Sequence, residues 1–418
     1  MTSRRRQHRP PRPTAGRGFA FGLWALLLAT TSASAHDVGF RVQPYLHITP
    51  RAGLMLSFLP GDEDGARPTW QQSRRVTFVD DGGREVVRYS RKVDGVHHVS
   101  VPDACGQRWR YRVEERPWSK PFSTLPCVPH SSSTTQSIAF MTDTQMNVDL
   151  VAKFAQFLDD SDAPFVLHGG DMVQRGGRAS QWEDLFRVLT PALSSRVLIP
   201  TTGNHGFFSD KAGVQLERYL GMGRGHGHYS VRLGDVLVVV LDSATIEDEV
   251  SLRRQRRFAE EALAQTARWK WVLFHHAIYS RGLAMHPMAI TREHQVFRDH
   301  FVPLFERHHV DLVLAGHVHL LERSVHRGIT YFTGGATGGV MGVQVVENPE
   351  LHKSEQVRSL TFFDVGHDEI RARSIDENGV DIDHFVLVKN ADGEGSRLRK
   401  SPVAKTAQTS DPAPAPNP

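Results

Sequence analysis

Between Ser137 and Ala315 the chain alternates short apolar runs with longer amphipathic stretches. The apolar runs read SIAFM, PFVLH, RVLIP, WKWVLF and DLVLA, and each is bounded by polar residues or glycine. The segments between them include NVDLVAKFAQFLDD and EVSLRRQRRFAEEALAQ, whose apolar residues recur at helical spacing. Short strands that alternate with amphipathic helices predict an α/β layered domain.

Each of the five apolar runs ends beside a side chain that can bind a metal. In chain order these side chains are Asp143 and Gln145, Asp171, Asn204 and His205, His275, and finally His317 and His319. In open α/β sheets, binding sites form outside the carboxyl ends of the strands. If the five runs are neighbours in one sheet, we expect their ends to converge on one crevice.

The chemistry of this set points to a particular kind of metal site. Two aspartates, an asparagine carbonyl and three imidazoles offer oxygen and nitrogen donors without a thiolate, which suits Zn, Mn or Fe. The donors are too many for one ion that keeps an open position. A carboxylate such as Asp171 can bridge two ions, and two such ions about 3.5–4 Å apart can clamp an in-line displacement at phosphorus. The pattern therefore predicts two metal ions.

The order of these motifs is similar to that of calcineurin-like metallophosphoesterases. The motifs that carry the resemblance are Asp143-x-Gln145, Gly170-Asp171, Gly203-Asn204-His205, His275 and Gly316-His317-Val318-His319. The stretch GHVHLLERS is closest to the GHVHAYERS of purple acid phosphatases. The resemblance covers residues from about 41 to 389.

The resemblance implies a role for each matching residue. Asp143, Gln145 and His319 would hold the first metal, Asp171 would bridge, and the second metal would be held by Asn204, His275 and His317. His205 would contact the phosphoryl group and help to protonate the leaving oxygen. His286 matches a substrate-side histidine found at about this place in the family.

The implied activity is hydrolysis of small phosphate esters by a metal-activated hydroxide, with monoesters favoured over diesters. Two alternatives remain open: a phosphodiesterase of the same fold, and a surface binding protein on a catalytically retired scaffold. Three departures from the family pattern motivate the second alternative. Gln145 stands where many members have histidine, Gly206 stands where an acidic residue is usual, and Gln174 replaces the tyrosine that colours purple acid phosphatases.

The chain divides into four predicted parts. Residues 1–35 form a signal peptide, with an arginine-rich start, a short apolar run and a small-residue cleavage site at Ala33–Ala35. Residues 37–128 carry short β-like runs separated by turn signals and resemble the fibronectin type III-like module that precedes the catalytic domain of purple acid phosphatases. Residues 137–389 form the catalytic domain, a two-sheet sandwich flanked by helices. Residues 390–418 form a disordered tail.

Charge and cysteine content indicate which partners and which compartment to expect for the protein. Residues 1–35 contain six arginines and no acid, so the mature chain retains 44 basic and 46 acidic side chains. This near balance argues against a nucleic-acid partner, and a cleaved signal implies a secreted or periplasmic protein without a membrane anchor. The two cysteines, Cys105 and Cys127, are expected to form a disulfide in that oxidising compartment.

Several other polar residues are interpreted as structural. His276 is interpreted as structural, His168 as either a core or a turn residue, and Asp242 as a cap rather than a residue that supports the metal ligands. Glu322 and Arg323 are expected to form a supporting ion pair with each other.

Overall fold

The computed structural model describes residues 39–61, 73–102, 105–126, 135–283, 291–345 and 351–399. The predicted signal peptide and the predicted substrate-side residue His286 lie outside these ranges. Among the residues that are described, no helix combines the length and the apolar character that a membrane crossing needs.

The first part of the described chain consists of strands. They are β1 (Phe40–Thr49), β2 (Gly53–Pro60), β3 (Arg75–Asp80), β4 (Glu85–Tyr89), β5 (Arg91–Val93), β6 (Val96–Ser100), β7 (Arg108–Val113) and β8 (Phe122–Ser123). Four form a sheet in the order β4-β3-β7-β8, and β1-β2-β6-β5 are neighbours in another sheet. Phe58 of β2 and Phe78 of β3 belong to one buried cluster. The predicted β-rich N-terminal region is confirmed, whereas its fibronectin type III-like type stays a prediction.

The rest of the described chain alternates strands and helices and then returns to strands. Its strands are β9 (Gln136–Met141), β10 (Phe165–His168), β11 (Val197–Pro200), β12 (Tyr229–Leu233), β13 (Val236–Val240), β14 (Trp269–His276), β15 (Gly282–Leu283), β16 (Leu312–Gly316), β17 (Leu321–His326), β18 (Ile329–Thr333), β19 (Val343–Gln344), β20 (Leu351–Glu355), β21 (Leu360–Val365), β22 (Glu369–Ile375), β23 (Asp381–Lys389) and β24 (Ser396–Arg399). Its helices are α1 (Val148–Asp159), α2 (Ala179–Leu193), α3 (Val214–Leu220), α4 (Glu249–Leu263), α5 (Thr291–His300) and α6 (Val302–Arg307), with 3-10 turns at Asn204–Phe207 and Ser243–Thr245.

Local sequence explains where the helices begin and which face they bury. The Asn147 side chain accepts a hydrogen bond from the Leu150 N–H and so satisfies one free donor at the start of α1. Asp248 does the same for the Ser251 N–H at the start of α4. Helix α1 then buries Val151, Phe154 and Leu158, which recur at the three- and four-residue spacing of one helix face.

Two large sheets form the centre of the molecule. One has eleven strands in the order β24-β23-β22-β21-β9-β10-β11-β1-β2-β6-β5, and the other has seven in the order β12-β13-β14-β16-β18-β17-β20. Aromatic side chains join them: the Trp271 and Phe363 ring centroids are 5.2 Å apart, and those of Phe140 and Phe332 are 6.2 Å apart. The predicted α/β two-sheet sandwich is confirmed.

The five ligand-bearing runs are divided between the two sheets, so the condition that they are neighbours in one sheet is not met. Strands β9, β10 and β11 run parallel in the eleven-stranded sheet, whereas β14 and β16 run parallel in the seven-stranded sheet. Their carboxyl ends still converge, because the two sheets pack against each other and present these ends at the same side. Apolar runs indicate that a strand is buried, but they do not indicate which sheet contains it.

The N-terminal strands are continuous with the catalytic domain. Strand β1 pairs in parallel with β11, with Leu46 opposite Val197 and His47 opposite Leu198. One residue before this pairing, the Tyr45 hydroxyl donates a buried hydrogen bond of 2.7 Å to the Tyr219 carbonyl. One sheet therefore crosses the predicted boundary between the two domains.

The chain remains ordered beyond the predicted start of the disordered tail at residue 390. Residues 391–399 are described, and β24 pairs antiparallel with β23, with Val388 opposite Arg397. That part of the prediction is wrong, because this short strand pairs along the edge of β23 and packs Leu398 against the core. Residues 400–418, which hold the proline-rich end, lie outside the described ranges.

The cysteine prediction agrees with what the structure describes. Cys105 is disulfide-bonded, and no described cysteine is free. Cys127, the chain's other cysteine, lies outside the described residues. Close by, the Gly106 N–H donates to the Leu125 carbonyl at 3.0 Å, so this end of the β7–β8 hairpin is closed.

A buried ion pair at the base of the two sheets provides a test of the packing. Lys389 Nζ lies 2.8 Å from Asp311 Oδ1, and both side chains are almost fully buried. We expect Lys389→Met to lower the free energy of unfolding by about 3–5 kcal/mol, because it leaves a buried carboxylate without its counter-ion. Urea unfolding measures this. The double variant Lys389→Met/Asp311→Leu should recover most of the loss, and equal losses in both variants would contradict the assignment.

Candidate metal centre

The structure brings most of the predicted metal ligands together. Buried at the carboxyl ends of the five strands lie Asp143, Gln145, Asp171, His275, His317 and His319. Asn204 is more exposed and begins the 3-10 turn after β11. His205 follows it and is partly buried. Ligand roles for these residues stay predictions, but the proximity that those roles require is present.

Asp143, Gln145 and His319 form the first group of donors. His319 Nε2 lies 3.2 Å from Asp143 Oδ1 and 3.3 Å from the amide nitrogen of Gln145. The main-chain N–H of His317 donates to Asp143 at 3.0 Å, which fixes the carboxylate. This group matches the predicted first metal position.

Asp171, His275 and His317 form the second group. One donor atom from each lies within 4.8 Å of the others, and all three side chains are buried. His275 Nε2 is 3.1 Å from Asp171 Oδ2. Two ligands of one ion with bonds of about 2.1 Å lie about 3.0–3.4 Å apart, so this spacing suits a shared cation. The His275 and His317 ring centroids are 5.1 Å apart and nearly perpendicular.

Main-chain carbonyls orient the imidazoles. His275 Nδ1 donates to the Gly169 carbonyl at 2.7 Å, and His319 Nδ1 donates to the Val340 carbonyl. Each bond occupies one ring nitrogen and leaves Nε2 facing an aspartate, where it can carry a proton or a metal. Metal-binding histidines in proteins are usually held in this way.

The backbone is strained where the donors are presented. Asp143, Asp171, His317 and His319 all have positive φ, with values of 53°, 51°, 72° and 56°. Non-glycine residues seldom adopt this left-handed conformation, and such residues cluster at functional sites. Only six other described non-glycine residues share it, so strain is concentrated in the predicted ligands.

Neighbouring glycines allow the loops to approach closely. A Cβ at Gly170, whose φ is +93°, would lie 2.7 Å from His275 Nδ1. A Cβ at Gly203 or Gly316 would collide with the carboxylates of Asp171 and Asp143, respectively. The glycines in the Gly-Asp, Gly-Asn-His and Gly-His-Val-His motifs are therefore needed for packing around the donors.

Electrostatics couples the carboxylates to the imidazoles. Burial alone would lower the pKa of His275, but the negative charge of Asp171, its hydrogen bond and the charge of Asp143 raise it to about 9. Burial and Asp143 oppose each other in the same way at His319, and its pKa is also raised. Burial raises the pKa of Asp171, yet the imidazoles outweigh this effect and hold it well below its usual range. The buried aspartates therefore require positive charge beside them.

The donor set fits metal cations. Gln145 Oε1 is buried and has no hydrogen-bond partner, which is costly for a carbonyl unless something outside the protein binds it. Carboxylate, amide and imidazole donors in this proportion suit Zn, Mn or Fe.

His205 lies at the open side of the two groups. Its Nδ1 donates to the Gln174 carbonyl at 2.9 Å, and its Nε2 lies 4.0 Å from Asp171 Oδ2. The side chain keeps 25% of its surface exposed, so solvent and ligands can reach it. Its main-chain N–H also donates to Asp171 Oδ1 at 2.8 Å, which links the two residues.

Polar residues that the sequence indicated to be structural surround the candidate metal ligands. His168 lies 3.2 Å from the Thr144 hydroxyl, and His276 Nδ1 lies 2.8 Å from the Ser243 hydroxyl, which also accepts the main-chain N–H of His275 at 3.1 Å. Asp242 precedes the 3-10 turn at Ser243–Thr245, but its side chain makes no capping hydrogen bond there and instead accepts from the Thr202 and Thr245 hydroxyls. The support from Ser243 and Val340 was missed, since neither lies in a motif.

The predicted Glu322–Arg323 ion pair is wrong. Arg323 instead pairs with Asp383 at 3.1 Å, and Glu322 accepts hydrogen bonds from the Arg281 N–H and the Ser354 hydroxyl. Successive residues of a strand point to opposite faces, so Glu322 and Arg323 of β17 cannot meet.

Comparison with known proteins agrees with this geometry. Residues 137–321 match the family model described as calcineurin-like phosphoesterase. A nucleotide pyrophosphatase/phosphodiesterase of Hordeum vulgare is 25% identical over an alignment of 287 residues, and the match covers 58% of this chain and 77% of that protein.

Two solved structures share the fold. A purple acid phosphatase from yellow lupin (Lupinus luteus) seeds has a TM-score of 0.68 at 15% identity, over 84% of this chain and 74% of that one. PhoD has a TM-score of 0.65 at 13% identity, over 87% and 92%. The matched residues 137–321 contain every predicted metal ligand, and the chain therefore carries a calcineurin-like phosphoesterase domain.

Proposed function

We propose that the protein is an exported, metal-dependent hydrolase of small phosphate esters, with monoesters favoured over diesters. The observation that carries this proposal is the pair of buried carboxylate–imidazole groups, Asp143 with His319 and Asp171 with His275, at the same end of two packed sheets. Export is supported by the signal-like sequence of residues 1–35. Gln145, Asn204 and His317 complete the two donor sets.

The protein's own residues supply orientation and proton transfer. Two bound cations would neutralise phosphoryl oxygens and lower the pKa of water, as metal ions do in phosphatases. Asp171, fixed by the His205 N–H and lying beside His275, has the central position needed to bridge them. His205 Nε2 faces the open side and can donate a proton to the leaving oxygen. Its bond to the Gln174 carbonyl fixes the ring for that task.

A diester or pyrophosphate substrate is the second candidate. The barley relative is named as a nucleotide pyrophosphatase/phosphodiesterase, and the same donor groups can serve either class of ester. A retired binding scaffold is disfavoured, because Asp171, His317 and His319 are all retained and close together.

Asp171→Asn tests the bridging carboxylate. A neutral amide holds two cations poorly, so we expect kcat/KM for p-nitrophenyl phosphate to fall by at least about 10³-fold, which is about 4 kcal/mol of transition-state stabilisation. Circular dichroism should show an unchanged fold. Asp160→Asn, an exposed carboxylate after α1, is the matched control. Turnover by Asp171→Asn near that of the control would rule out a bridging role.

Metal binding should release protons. The pKa of His275 in the metal-free protein is raised to about 9, so at neutral pH a cation must displace its proton. The apparent affinity for zinc should rise with pH and level off above about pH 9, by about tenfold per unit for each proton released. Calorimetry in buffers of different ionisation enthalpy counts the protons. A zinc affinity that stays constant between pH 6 and pH 8 would contradict the assignment.

Gln145 should make the first metal position the weaker one. That group offers one imidazole and a neutral amide, whereas the second offers two imidazoles, and late first-row ions favour nitrogen donors. We expect chelation to empty the Asp143–His319 position first and Gln145→His to tighten it. Zinc titration of the metal-free variants measures both, with exposed Gln156→His on α1 as the control. Two equivalent positions unaffected by Gln145→His would exclude Gln145 from the ligands.

A further inference from the structure

Five cationic or potentially cationic side chains gather beside the metal centre from three separate segments. Arg51 lies in the turn between β1 and β2. Arg224, His226 and His228 lie in the glycine-rich loop GMGRGHGH, residues 221–228, between α3 and β12. Arg254 projects from α4. These five residues are called the basic cluster below.

The members of the basic cluster influence one another directly. A Cβ at Gly225 would lie 3.1 Å from Arg254 Nη2, so that guanidinium lies against the loop. Burial lowers the pKa of His226, and the charges of Arg51 and Arg254 lower it further. Burial, Arg254 and His226 lower the pKa of His228 to about 4. The cluster therefore concentrates mutually repelling positive charge.

The three arginines of the basic cluster lack counter-ions. Within the described residues, Arg51, Arg224 and Arg254 form no ion pair, although other arginines of α4 do: Arg253 pairs with Glu249 at 2.7 Å and Arg257 with Glu261 at 4.0 Å. Arg254 Nε and His228 Nδ1 are also buried without a hydrogen-bond partner. For the Arg254 N–H, which can only donate, that state indicates a missing acceptor.

The acids that act on the cluster, Glu217 and Asp242, are fewer than its three arginines. The Glu217 carboxylate reaches the loop at Gly223, where a Cβ would lie 3.1 Å from its Oε2. The charge of Arg224 lowers the pKa of Asp242, but burial outweighs this effect and raises that pKa. The Asp242 carboxylate already accepts hydrogen bonds from Thr202 and Thr245. The three arginines therefore retain excess positive charge.

The basic cluster adjoins the turn that carries Asn204 and His205. The Arg224 guanidinium lies 5.3 Å from the centre of the Phe207 ring, at the end of that turn. A Cβ at Gly227 would lie 2.9 Å from the Thr202 methyl, two residues before Asn204. Because β1 runs parallel to β11, the turn with Arg51 lies at the same sheet edge as the metal centre.

We propose that Arg51, Arg224, His226 and Arg254 form a second anion-binding site that holds a distal phosphate of a substrate whose reacting phosphate lies at the metal centre. The proposal rests on the phosphoesterase function proposed above. Arginine binds phosphate oxygens through paired, charge-assisted hydrogen bonds. Substrates with two or more linked phosphates would therefore be preferred over those with one.

Substrate selectivity provides the test. The metal-loaded protein is assayed with inorganic tripolyphosphate and with p-nitrophenyl phosphate, and the ratio of the two kcat/KM values is compared. Arg224→Gln/Arg254→Gln should lower this ratio by about tenfold or more. The control Arg253→Gln/Arg257→Gln removes the same charge from α4 at exposed ion pairs and should change the ratio by less than about twofold. Equal ratios in the two double variants would overturn the proposal.

Calorimetric titration with inorganic tripolyphosphate measures anion binding at the basic cluster separately from hydrolysis. Binding that weakens in Arg224→Gln/Arg254→Gln and competes with inorganic phosphate supports the distal site. Arginine-dependent binding without that competition would mean that a free anion occupies an independent site, and would overturn the assignment to substrate. If the wild type hydrolyses no phosphate ester yet binds tripolyphosphate through these arginines, the proposed function fails and the anion site itself is supported.

Discussion

The burial of two aspartates at the meeting point of two sheets governs much of this molecule. A carboxylate out of water requires a positive partner, and Asp143 and Asp171 find theirs in His319 and His275 at 3.2 and 3.1 Å. Main-chain carbonyls orient the imidazoles toward the aspartates, and glycines let the loops approach closely. Four of the candidate metal ligands have a strained, positive-φ backbone. These features fit a site in which protons on the two imidazoles neutralise the aspartates until metal cations bind and replace those protons.

The site residues that could be predicted from the sequence were recognisable by their residue type and by their position at the end of a strand. A short apolar run followed at once by Asp, Asn or His marks a strand end that carries a donor, and this identified Asp143, Asp171, His275, His317 and His319. Glycines beside these donors indicated tight loops. Such features depend on neighbours in sequence, so the sequence alone is informative about them.

The errors arose where long-range pairing decides the outcome. Nothing in DLVLA or SIAFM distinguishes one central sheet from another, so the sequence did not assign each of the five runs to one of the two sheets. Strand β24 was missed because Ser396–Arg399 is mostly polar and is ordered by pairing with β23 and by the packing of Leu398. The Glu322–Arg323 pair was expected from adjacency, although strand geometry separates the two side chains. The basic cluster was not anticipated either, since Arg51, Arg224 and Arg254 are distant in sequence.

The parallel pairing of β1 with β11 makes the N-terminal module a structural neighbour of the catalytic sheet rather than a separable attachment. A fragment that began near residue 137 would expose the β11 edge, leaving unpaired N–H and C=O groups on the strand that leads to Asn204 and His205. Exposed edges of this kind recruit other strands. Recombination of the catalytic region with foreign partners would thus succeed only where the incoming chain supplies its own edge-covering strand.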